Sequence, residues 1–209
     1  IEANQVEQAQ TLVDEMLAAD STDHEAIALS GVLQARMGDN DEALVQLTRA
    51  LELNEKFTTA WVERGRIYLT KGDFYRAQQD FTQAIELAGL NPQIAVQLAI
   101  AYKQMGMDLE AATIYDDVID MDPMFEPATR GLLEIHYGNR DWTQFYALLL
   151  DGQRRFDVPY YYLFEAEMWS ERGDMGRMME AMDTGLDRHP SDPEMVREYL
   201  LALIRAGRD

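Results

Sequence analysis

The 209-residue chain has no cysteine, which rules out disulfides and thiolate metal sites and leaves the redox compartment unspecified. Histidine is scarce, with three scattered copies. His24-Glu25 opens like a zinc-protease helix, but Ala28 stands where the second histidine is required. There is no glycine-rich phosphate loop, and no grouping of Ser, His and acid suggests a nucleophile. Asp39-Asn40-Asp41 and Asp120-Met121-Asp122 lack the central glycine and closing glutamate of a calcium loop and read as helix caps. The expectation is a protein that is not an enzyme, with no catalytic residues, no cofactor and no metal. Basic residues are few, 18 against 38 acidic, for a net charge of −20. That balance repels nucleic acid and anionic membrane surfaces, although a local basic patch could still hold an acidic peptide. No stretch approaches the roughly 20 apolar residues of a membrane span, so direct membrane insertion is not expected. The start IEANQVEQAQ has neither the basic head nor the apolar middle of a signal peptide. The missing initiator methionine suggests a piece of a longer parent. Cytoplasm and bacterial periplasm are both compatible with this composition.

What is present is order and repetition. Hydrophobic residues make up 47% of the chain, with only 13 glycines and 6 prolines, a composition that folds. Residues 58–91 form a block in which Trp61, Gly65 and Tyr68, and after the Gly72-Asp73 break Ala77, Phe81, Ala84 and Ile85, recur at helical spacing. This predicts two antiparallel helices in close contact where Gly65, Ala77 and Ala84 have almost no side chain. Residues 24–57 and 92–125 repeat the block in register with a period of 34 residues. Residues 126–158 are an irregular copy, one residue short: Phe145 replaces Ala77, Asn139-Arg140 replaces the turn glycine, and Gly131 and Gly138 enter the first helix. The large ring is expected to push the two helices apart. Residues 159–192 return to the pattern, residues 1–23 match a second helix alone, and residues 193–209 form a single terminal helix that is apolar nearly all round. Residues 1–209 therefore read as one repeat array.

The pattern resembles the tetratricopeptide repeat, through Trp61, Gly65, Tyr68, Ala77, Phe81 and Ala84, and again through Leu98, Ala99, Tyr102, Ala111, Tyr115 and Pro123. Arg64 and Glu165 stand where that family prefers an aliphatic residue. The resemblance implies an all-α solenoid, a right-handed superhelix of antiparallel helix pairs whose first helices line a groove for a peptide or a partner's helix. Such a protein is a non-catalytic interaction scaffold with a protein or peptide partner. The alternative is a structural module that self-associates, or packs on further domains, through residues 193–209.

Mapped from the family, the groove lining is Glu63, Arg66 and Thr70, then Gln97, Ile100, Lys103 and Gln104, then Arg130, Glu134 and Tyr137, then Phe164 and Glu167. The Lys and Asn pair that clamps a C-terminal carboxylate in the family's best-known members is absent at the matching positions. What remains is local positive charge from Arg66, Lys103 and Arg130, beside apolar Val62, Ile100, Tyr137 and Phe164. Salt bridges to Glu63 and Glu134 are the plainer role for these cations, each contributing about 0–1 kcal/mol. His136 takes the place of Tyr68 and is expected in the core, and His189 lies in a turn. The methionines at 175, 178, 179 and 182 fall at helical spacing and read as core. Tyr160, Tyr161 and Tyr162 follow Val158-Pro159 at a helix start and point in different directions, so at least one is expected to be exposed.

Overall fold

The computed structural model describes residues 2–205 and Gly207, with side chains from Val6 onward. The described residues form twelve α-helices and no strand. In chain order these are α1 (Glu2–Ala19), α2 (His24–Met37), α3 (Asn40–Leu53), α4 (Thr58–Thr70), α5 (Phe74–Ala88), α6 (Pro92–Gln104), α7 (Asp108–Met121), α8 (Glu126–Gly138), α9 (Trp142–Arg155), α10 (Pro159–Glu171), α11 (Met175–Arg188) and α12 (Pro193–Arg205). First helices start at 24, 58, 92, 126, 159 and 193, so the period is 34 residues except for the one short copy. The architecture is all-α, made of antiparallel helix pairs of the solenoid type. By backbone contacts the chain divides into two compact units, one ending at Asp122 and one beginning at Pro123.

In the first unit, the contact of α4 with α5 follows from side-chain size. A Cβ on Gly65 would stand 2.9 Å from the Phe81 ring, and Ala77, Phe81 and Ala84 are fully buried. The turns follow from backbone chemistry. Gly72 adopts φ +77°, and Asp73 then accepts a hydrogen bond from the Arg76 N–H to cap α5. Asp39, Asn91, Asp141 and Asp174 cap their helices in the same way. Asp122 caps the other end of a helix: it is the C-cap of α7, its backbone N–H donating to the Val118 carbonyl.

The second unit departs most from the repeat. Phe145 is fully buried among Tyr137, Trp142, Tyr146 and Phe164, with ring centroids 5.5–6.1 Å apart. α8 and α9 have fewer close backbone approaches than the other pairs. Arg140 takes the turn position at φ +57°, a left-handed conformation that costs a non-glycine residue about 1–2 kcal/mol. Met178, Met179 and Met182 are buried, whereas Met175 is 41% exposed, because it begins α11 outside the buried stripe. His136 is half-buried, 3.6 Å from Asp141, and not a core residue. α12 buries Met195 and Ala202 and exposes Leu200, Leu201 and Ile204. Its polar side carries Glu194, Arg197 and Glu198, so it is less uniformly apolar than expected. Ala206, Arg208 and Asp209 lie outside the described residues. Among the described residues no helix is long and apolar enough to cross a membrane.

Candidate functional site

In the second unit, Glu126, Arg130 and Glu134 recur at four-residue spacing and so share one face of α8. Opposite them, Tyr160, Leu163, Phe164 and Glu167 project from α10, and Asp192 and Glu194 open α12. Together with Val158 and Pro159 these residues enclose a groove of about 850 Å³. Four of the expected residues, Arg130, Glu134, Phe164 and Glu167, therefore converge here. Tyr137 lies beside them, its ring 4.8 Å from Phe164 and its hydroxyl donating to Glu171.

Arg130 is not an open cation. Its guanidinium donates twice to Glu126, at 3.1 and 2.9 Å, and lies 3.9 Å above the Tyr160 ring. The Tyr160 hydroxyl donates to Glu134 at 3.3 Å and the Tyr161 hydroxyl to Glu126 at 3.3 Å. Burial first, and then these carboxylates, push both phenols well above their usual range. The tyrosine run thus differs from expectation. Tyr161 and Tyr162 are buried and Tyr160 is half-buried, because the groove wall, the α9 side and the α11 side each take one ring.

The remaining expected residues lie in the first unit. On α4, Arg66 pairs with Glu63 at 2.9 Å and the Thr70 hydroxyl donates to the Arg66 carbonyl at 3.0 Å. On α6, Gln97, Ile100 and Lys103 are half-buried and Gln104 is exposed. Val62, expected as an apolar contact, is only 9% exposed and belongs to the core. Sequence reasoning missed Glu126, Asp192 and Glu194. The signal was available in the Asp192-Pro193-Glu194 helix start, which places two acids at the mouth of the preceding pair.

A second hollow of about 370 Å³ shares Leu163, Glu167 and Glu194 with the first and runs on past Glu171, Glu198 and Arg205. Among the described residues no cluster of three or more His, Asp or Glu is arranged to hold a metal ion.

A family model described as tetratricopeptide repeat matches residues 29–93. Superkiller complex protein 3 of Mus musculus is 25% identical over 182 residues, 86% of this chain but 11% of that protein. The chain thus spans about a tenth of the length of this relative. The crystal structure of YrrB, a TPR protein with an unusual peptide-binding site, superposes with a TM-score of 0.68 at 13% identity over 89% of this chain and 96% of that one. The structure of PilF from Pseudomonas aeruginosa gives 0.73 at 13% identity over 96% and 91%. Residues 29–93 thus match the tetratricopeptide repeat, and the helix pairs and small-residue contacts described above make the chain similar in fold to tetratricopeptide-repeat proteins.

Proposed function

We propose that the chain is a non-catalytic scaffold that holds an extended peptide or a partner's helix against its first helices. The expected lining residues are Glu63, Arg66 and Thr70 with Gln97, Ile100, Lys103 and Gln104 in one unit, and Arg130, Glu134, Tyr137, Phe164 and Glu167 in the other. The observation that carries this reading is the groove between α8, α10 and α12, with an apolar floor of Val158, Pro159, Leu163 and Phe164 under a polar rim. A mostly apolar hollow with a few placed polar groups is the usual form of a recognition site. Peptide binding named for YrrB supports the same reading. The test is selection of binders from a random peptide library on the immobilised chain, followed by amide hydrogen exchange of each complex. Binders that slow exchange in 126–138 and 159–171 support the groove. Binders that protect only α9 and α11, or no binders at all, overturn it.

One observation favours a second reading, self-association through α12, where Leu200 is 54% and Ile204 73% exposed. Sedimentation velocity separates the two. Dimers abolished by Leu200→Lys with Ile204→Lys support self-association, and a monomer at high concentration overturns it.

A further inference from the structure

The second unit concentrates its acidity in the groove. Residues 123–209 carry 16 acidic and 10 basic side chains, and seven of those acids but only two of the bases line the two joined hollows. The remainder of the unit is therefore close to neutral. The acids are arranged in rows at helical spacing. Glu126 and Glu134 lie on one wall, Glu167 and Glu171 run along α10, and Glu194 and Glu198 run along α12. Of the two bases, Arg130 is held by Glu126 and covered by Tyr160. Beneath the rows lies the apolar floor of Val158, Leu163 and Phe164.

Resting on the groove reading above, we propose that the occupant is a cationic amphipathic peptide, with leucine-like side chains on the floor and lysine or arginine against the glutamate rows. The charge pattern excludes an acidic tail, which would meet like charge on three sides, and it corrects the expectation that Arg130 marks a basic patch. Clefts lined by one sign of charge over apolar walls focus field and favour a ligand of opposite sign. An apolar peptide alone would take these carboxylates out of water without adding any counter-charge, which is unfavourable.

The test uses the whole chain and two fluorescently labelled synthetic helical peptides, one of leucine and lysine and one with every lysine replaced by glutamate. The expected result by anisotropy is that only the lysine peptide binds, that added salt weakens it, and that amide exchange slows in α8, α10 and α12. Glu167→Gln with Glu194→Gln should weaken binding several-fold. Glu180→Gln with Asp187→Asn, which removes the same charge from exposed positions of α11 away from the groove, should leave it unchanged. Equal weakening by both pairs would mean that only overall acidity is sensed, and the inference fails. Tight binding of the glutamate peptide, or library binders that protect the groove but carry no excess of basic residues, would overturn the charge assignment while leaving the groove reading intact. Failure of both synthetic peptides and of the library to protect α8 and α10 removes the reading and the inference together.

Discussion

Arg64 stands where the repeat ordinarily carries an aliphatic side chain, yet it is part of the core of the first unit. Its guanidinium donates from Nε and Nη2 to the two oxygens of Asp80, both at 2.8 Å, and from Nη1 to the Thr48 hydroxyl at 3.2 Å. The Trp61 ring lies 4.8 Å from its Cζ. Three helices, α3, α4 and α5, are thus joined by one side chain. Asp80 is only 3% exposed, and burial raises its carboxyl pKa against the opposing pull of Arg64. Removing the arginine strands that carboxylate. Arg64→Ala should lower unfolding free energy by about 3–5 kcal/mol, measured by urea titration of the helical circular dichroism. The double change Arg64→Met with Asp80→Leu should cost far less, since no uncompensated charge remains. If the single and double variants are equally unstable, the pair is not what matters at this site.

At the scale of helices, consecutive helix pairs of the second unit meet where the second helix of one presents a glycine to the first helix of the next. Gly152 of α9 faces Tyr161 of α10, and Gly185 of α11 faces Met195 of α12. A Cβ on Gly152 would lie 2.3 Å from the fully buried Tyr161 ring, and one on Gly185 would lie 2.8 Å from Met195. Gly152→Ala is therefore expected to destabilise by about 1–3 kcal/mol through overpacking. In a Tyr161→Ala background, where the ring is gone, the same change should cost little. A double-mutant cycle by chemical denaturation gives a coupling of about 0.5–3 kcal/mol if this holds, and simple additivity would refute it. The helix pairs, their turns at Gly72-Asp73 and the Gly65 contact were legible because they depend on local period and backbone chemistry. The matching of Gly152 to Tyr161 was not, since it joins residues of different repeats and shows only once the helices are stacked. The groove was half legible for the same reason: Arg130 and Phe164 follow from register, but the sign of the site depends on Glu126, Asp192 and Glu194 arriving from neighbouring elements.

At the scale of the whole molecule, the tyrosines of the second unit set a pH limit that can be located. Tyr137, Tyr146, Tyr160, Tyr161 and Tyr162 all lie in the second unit, and burial raises the pKa of every one. Nearby carboxylates add to this, Glu171 at Tyr137, Glu134 at Tyr160, Glu126 at Tyr161 and Asp157 at Tyr162. A phenol whose folded pKa exceeds its unfolded value of about 10 keeps its proton longer in the folded state. Below that pH both states are protonated and the stabilisation is complete. Above it the unfolded state releases protons first, so stability falls as pH rises toward the folded values. Residues 123–209 should therefore unfold on alkaline titration before these five phenols ionise individually. Tyrosinate absorbance at 295 nm should rise for these five only together with the loss of helical circular dichroism, and limited proteolysis in that range should cut first beyond Pro123. Ionisation of all ten tyrosines near pH 10 with the helical signal intact would show that the phenols are not buried against their carboxylates as described.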